Sequence, residues 1–282
     1  MVSDLRPSPI AGTWYEGNPK ALARDVDEYL DRANLPELSG EVMGVIAPHA
    51  GHIYSGPVAG YAFAALRGRT PELVVVLSPY HNYHASPLLV STHSAYSTPL
   101  GNIPIARNEL KALEAALGRL LGIGLTSISR DHEHSLEIEL PFLQRALAAP
   151  FQLLPIMVRA QDARVSQGLG EALAEILHDR DFVLVGSTDL SHFYSQDEAD
   201  ILDSEMLRQI ESFSPEGMYA AEFSGKGFAC GLGAVTSVLW AAHELGANRI
   251  KVLHHATSGN VTGDYSSVVG YGAAAILKSP SA

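Results

Sequence analysis

The sequence predicts an α/β fold, a single domain with a mostly parallel central sheet flanked by helices. Three observations carry that expectation. Short apolar, β-branched-rich runs at 42–47, 73–78 and 182–187 suit strands buried on both faces. Each run discharges at its C-terminal end into polar residues: Pro48, His49 and His52 after the first, His81 and His84 after the second, Asp189 and His192 after the third. Between them lie segments with helical spacing, as crossovers between parallel strands require. Ligand-type side chains at three strand ends mark one shared site at the carboxyl edge of an open sheet. A lone histidine after a strand would read as structural; three such ends read as a site.

Taken in order, the segment 6–17 is too rich in Pro and Gly for a regular element, and 1–17 reads as an extended arm packing near the site. Trp14 and Tyr15 either anchor this arm by burying aromatic area or wall a pocket. Asn18 is an N-cap and Pro19 a first helical residue, with Leu22, Val26, Tyr29 and Leu30 on one face. After the first strand, Gly51 and Gly56 allow a sharp turn that holds the imidazoles at the strand mouth. Residues 57–66 form a small-residue helix crossing to the second strand. A strand is expected at 88–92, a loop at 97–105, and a helix over 108–120 with Leu110, Leu113 and Leu117 inward.

Residues 131–143 read as a core-facing helix, kinked or restarted at Pro141, since Leu136, Leu140, Leu143 and Leu147 recur at helical spacing. Its polar start has two readings. Asp131, Glu133, His134 and Glu137 are a solvated first turn favoured by the helix dipole, or they line a site in which His134 and Glu137 share a face. A strand at 151–158 and a helix at 162–178 precede the third ligand-bearing strand. Helices follow at 196–212, 215–223 and 231–245, then strands at 250–255 and 266–277 around a polar loop. Cys230 stands at a helix entrance between glycines. It is either a small buried hydrophobe or a thiolate favoured by the helix N-terminus.

With 282 residues and 46% hydrophobic composition, a sizeable core is feasible. No apolar run approaches the roughly 20 residues that cross a bilayer, so no membrane partner is expected. A formal charge of −12, with no basic cluster to offset it, argues against a nucleic-acid partner. One cysteine leaves no intrachain disulfide, and the N-terminal residues lack an apolar h-region; a cytoplasmic setting is the expectation.

Several motifs in order resemble the Memo family, which includes an animal cell-motility mediator and the prokaryotic AmmeMemoRadiSam system protein B. They are A-G-T-W-Y at 11–15, I-A-P-H-A-G-H-I-Y-S-G at 46–56, L-S-P-Y-H at 77–81, and D-H-E-H-S-L-E-I-E-L-P-F at 131–142. S-T-D-L-S-H at 187–192, A-C-G at 229–231 and D-Y-S-S-V-V-G-Y-G-A at 264–273 continue the series. The resemblance implies a fold like the class III extradiol dioxygenases, LigB-like (phosphorylase/hydrolase-like). It implies His49, His81 and Cys230 as metal ligands, with Cys230 where the dioxygenases place glutamate. It also implies His192 as the proton-handling histidine, with Asp189 orienting it or reaching the metal. Trp14, Tyr15, His52, Tyr54 and His134 are the implied substrate contacts.

The resemblance makes Fe(II) the leading expectation, while a soft thiolate in place of a carboxylate shifts preference toward copper, zinc or a thiolate-bound iron. Leu232 and Tyr80 depart from the family's commoner residues, so substrate contacts differ accordingly. The implied function is a metal-dependent, dioxygenase-like oxidoreductase with a small-molecule substrate and a radical-SAM pathway partner. The alternatives are a zinc hydrolase with His192 or Glu133 as base, and a non-enzymatic metal- or partner-binding protein.

Overall fold

The computed structural model describes residues 4–279. Its strands are β1 (Leu5–Arg6), β2 (Glu41–Ala47), β3 (Leu73–Pro79), β4 (Leu88–Ser91), β5 (Ala95–Thr98), β6 (Gly101–Pro104), β7 (Thr126–Ile128), β8 (Gln152–Val158), β9 (Phe182–Ser187), β10 (His192–Tyr194), β11 (Arg249–Thr257) and β12 (Val268–Lys278). Its helices are α1 (Pro19–Arg32), α2 (His52–Ala64), α3 (Arg107–Leu120), α4 (Leu140–Ala146), α5 (Ala163–Leu177), α6 (Gln196–Glu211), α7 (Pro215–Phe223), α8 (Leu232–Glu244) and α9 (Gly259–Thr262).

The main sheet runs β12-β2-β9-β3-β8-β4-β7, with β10 and β11 also paired to β12. Its centre, β2-β9-β3-β8, is parallel, while β12 joins β2 and β4 joins β8 antiparallel. The sheet is therefore mixed around a parallel core. The three strands whose ends carry the ligand-type residues are neighbours, with β9 between β2 and β3, so those ends open on one edge. Helices α8, α5 and α3 stack on one face, and α1, α2 and α4 lie on the other. Central strands have helices on both sides, which is why their sequences are continuously apolar rather than alternating. Among the described residues no helix is long and apolar enough to cross a membrane.

Several expectations need correction. Helix α2 begins at His52, five residues before the expected start, and carries Pro57 internally. The proline leaves the Ile53 carbonyl without its helical donor, and Ile53 is exposed, so water can take that place. The expected loop at 97–105 is a hairpin: β5 pairs antiparallel with β6, and β1 adds in parallel. Two prolines and Gly101, at φ 127°, hid this pairing from a period-based reading. The stretch 131–143 is not one helix. Asp131 to Leu136 are irregular, Glu137–Glu139 form one 3-10 turn, and only then does α4 begin.

Arg6 explains the irregularity. It is fully buried, donates to Asp131 and Glu137, and donates through Nη2 to the Glu133 carbonyl at 2.6 Å. Its guanidinium also lies over the Tyr96 ring, 4.6 Å from the centroid. These carboxylates are buried and paired across more than 120 residues of chain, so they cannot form a solvated helical turn.

Candidate metal centre

The parallel register sets the end of β2 beside the end of β9, with Ala47 opposite Ser187. His49 follows two residues later and is buried. Its backbone N–H donates to Asp189 Oδ1 at 2.7 Å. Ser187 Oγ donates to the Ser135 carbonyl (2.8 Å), so its lone pairs are free to accept from His49 Nδ1–H, also at 2.8 Å. This places the Nδ1 proton and leaves the Nε2 lone pair pointing to Cys230 Sγ, 3.1 Å away. Burial, reinforced by His81 and His134, pushes the His49 pKa well below its ordinary value, so the ring is neutral.

His81 extends from β3. Glu133 Oε2 accepts from its backbone N–H at 2.7 Å, and Oε1 pairs with Nδ1 at 2.9 Å. The other ring nitrogen, Nε2, is thereby left with a lone pair available to a metal ion. Glu133 Oε1 also receives the backbone N–H groups of His134 and Ser135. Burial opposes ionisation of Glu133, but these donors and the two imidazoles hold its pKa far below the ordinary carboxylate range. His134 stacks on His81, with centroids 4.8 Å apart, and burial lowers its pKa to about 4.

Cys230 arrives on the loop before α8. Its sulfur accepts from Asp189 N–H at 3.3 Å, and its own N–H donates to Asp189 O at 3.2 Å. Gly231 is needed here because a Cβ would collide with the Ser187 carbonyl. The expected thiolate is not favoured in the metal-free chain. Burial first, then Asp189, pushes the thiol pKa up, outweighing the helix terminus.

One ligand atom each from His49, His81 and Cys230 lies within 4.8 Å of the other two, and His81, Glu133 and His134 form a second such group. His49 is buried and Cys230 half-buried, whereas 38% of the His81 side chain is exposed, giving the cluster an open side. Two imidazoles with fixed tautomers and one sulfur are a donor set for Fe(II), Cu or Zn, with positions left over.

The other expected residues divide. His192 Nδ1–H donates to the Leu190 carbonyl at 2.8 Å, leaving Nε2 free, and burial lowers its pKa. Phe193 and Phe228 flank the ring, each 5.7 Å away. Asp189 does not orient it. Its carboxylate caps the loop of His49 and Ala50 instead, and burial raises its pKa to about 7 against those two backbone donors. Trp14 walls the cluster, 4.2 Å from His134 and 38% exposed, whereas Tyr15 is the anchor, buried and donating to Glu137 at 2.7 Å. Tyr54 is exposed on the first turn of α2. His52, expected as a substrate contact, turns inward. It is 5% exposed, packed on Phe142 (4.8 Å), with Nε2 at 3.1 Å from the Ile138 carbonyl. His134 and Glu137 do not share a face, because one joins His81 and the other joins Arg6.

Sequence reasoning missed Ser187 and Arg6. Ser187 lay inside a quoted motif, and nothing local marks it. Glu139 was also missed. Its carboxyl is buried against Ser187 without a well-formed hydrogen bond, and burial raises its pKa so that it stays neutral.

The family profile described as Memo-like protein matches residues 6–275. A MEMO1 family protein of Nitrosopumilus maritimus is 34% identical over 273 residues, 95% of this chain and 98% of that one. One from Methanosarcina mazei is 32% identical, covering 96% and 98%. Among solved structures, an uncharacterized protein of Escherichia coli K12 aligns with a TM-score of 0.47 and 14% identity, over 82% of this chain and 99% of that one.

Proposed function

The chain belongs to the Memo family, and on that premise we propose that it is a metal-dependent oxidoreductase of class III extradiol dioxygenase type, acting on a small molecule. The observation that carries the reading is the meeting of His49, His81 and Cys230 at one sheet edge, their ligand atoms within 4.8 Å of one another. When bound, Fe(II), or copper or zinc as the other ions this set accepts, would supply Lewis acidity and, for iron or copper, redox activation of oxygen and substrate.

The chain's own residues do the rest. Ser187 and Glu133 hold the two imidazoles in the tautomers that present lone pairs. His192, neutral and with Nε2 free, accepts a proton from a substrate hydroxyl and can return it; such assistance is typically worth about 10²–10⁴-fold. Trp14 and His134 narrow the entrance beside His81. Because the Cys230 thiol is protonated before loading, loading releases a proton, and affinity falls as pH drops.

Anaerobic loading with Fe(II), followed by metal analysis and oxygen uptake over a panel of catechol-like compounds, tests the proposal. His49→Ala and Cys230→Ser lose the metal; His192→Asn keeps it and loses turnover. Stoichiometric iron with no uptake across the panel overturns the oxidoreductase reading.

A second reading, zinc hydrolysis, draws on one observation: the Glu133–His81 pair is the carboxylate–histidine arrangement common around zinc. In it His192 is the base, since the Glu133 oxygens are already engaged by several donors. Zinc co-purifying at one per chain, with esterase or amidase activity, would favour it.

A further inference from the structure

With Asp189 committed to the His49 loop, something else must fix the segment that carries His192. That segment is gripped from across β12. Leu190 N–H donates to Gly270 O, and Gly270 N–H donates to Ser191 O, each at 2.8 Å. Ser191 N–H donates to Asp203 Oδ1 at 2.9 Å, and the other oxygen of Asp203 meets His255 Nε2 at 2.8 Å. Asp203 reaches in from α6 and is fully buried. A Cβ at Gly270 would collide with its carboxylate, so the missing side chain makes the room it occupies.

Directly after His192, Phe193 takes φ 66°, and the β10–β12 register shifts between His192 and Tyr194. A bulky residue in that region is strained and persists only where its flanks are held. The capping box of Ser195 and Glu198 holds the downstream flank. Asp203 holds the upstream one.

We propose that Asp203 and His255 are positioning residues for His192: the buried carboxylate, steered by an imidazole on β11, clamps Ser191 so that Leu190 O can aim the His192 ring. The proposal rests on the reading of His192 as the proton-handling group, but its test does not need turnover.

The test is the NMR titration of the His192 ring in the full chain, assigned with His192→Asn. The charged and titratable groups coupled to this ring are His49, His81 and Asp203. Their signs make the experiment decisive. Asp203 by its charge raises the proton affinity of His192, so loss of that charge alone moves the midpoint down. Loss of the clamp lets water reach a ring now kept partly buried, and moves the midpoint up.

Asp203→Ala, which removes the acceptor of the Ser191 N–H as well as the charge, is expected to shift the midpoint up. His255→Leu, which keeps the Asp203 charge, is expected to do the same. His255→Gln places an amide N–H near the position of Nε2 and is expected to restore the wild-type midpoint. An unchanged or lowered midpoint in Asp203→Ala, or His255→Leu titrating like wild type, overturns the proposal. His255 is about 25% exposed, so if Asp203→Ala does not fold, the His255 pair decides alone. If the midpoints move as expected while iron-loaded protein consumes no oxygen, the clamp stands and the proposed reaction falls.

Discussion

The two edges of the sheet make opposite use of polar side chains. At the C-terminal edge, imidazoles, a thiol and several carboxyls are withdrawn from water and satisfy one another. At the N-terminal edge, where β3, β8 and β9 begin, an open groove of about 950 Å³ is lined by Glu72, Asn102, Asn108, Glu109, Gln152 and Arg180. That groove is roomy, yet its charges remain hydrated, and Arg180 reaches Glu109 at 2.7 Å on the surface. The proposed centre is therefore marked not by volume but by desolvated groups whose atoms converge from distant parts of the chain.

The largest expected difference between the edges lies at Arg6. Arg6→Leu leaves Asp131 and Glu137 buried without their cation, an uncompensated charge that costs about 3–5 kcal/mol. At this chain length a melting temperature roughly 6–20 °C lower is expected. A variant melting within about 2 °C of wild type would mean that the acid cluster is held some other way.

Next is the behaviour of the metal-free protein in acid. His52 has its pKa lowered to about 4 by burial, against an unfolded value of about 6.5. Between those values the unfolded chain binds the proton and the folded chain does not. Stability is thus fully present above about pH 6.5 and is lost as pH falls toward 4, by up to about 3 kcal/mol from this residue. His52→Gln, which keeps a donor for Ile138 O, is expected to remove that share of the slope in denaturant titrations at pH 4.5 and 7. A slope equal to wild type would show that His52 takes no part in acid lability.

What could be read in advance follows the same division. Strand ends at His49, His81 and Asp189 were legible because an apolar run followed by Pro, Gly and His is a local signal. So were Asn18 and Pro19 at the start of α1. Arg6 was not, since its worth comes from Asp131 and Glu137, more than 120 residues away. Ser187 and Glu133 act by hydrogen bonds to rings on other strands, and no spacing rule reports these. Cys230 was singled out from its place before a helix, but its protonation follows from burial, which a helix-terminus argument does not contain. The β5–β6 hairpin was obscured by the turn residues that enable it.

A smaller effect separates ligands from their supports. Glu133→Gln keeps an acceptor for one N–H but loses the charge that orients His81. Metal affinity is expected to fall by about 10–100-fold, or about 1.4–2.8 kcal/mol, while the fold persists. Competition titration with a chelating dye reads this. An unchanged affinity would demote Glu133 to a loop staple.

The smallest effect is the control on which the contrast turns. Arg180 and Glu109 form one well-placed surface pair, with 43% of the arginine and 15% of the glutamate side chain exposed. Water screens the Arg180 charge and competes for its donors, so the pair is worth about 0.2–1 kcal/mol. Arg180→Ala should lower stability by no more than about 1 kcal/mol. It should also leave metal affinity and the His192 titration where they were, because the length of the sheet lies between the groove and the cluster. If this substitution instead altered metal binding, the two edges would be coupled through the parallel core, and the groove would have to be counted as part of the functional apparatus rather than as a solvated hollow.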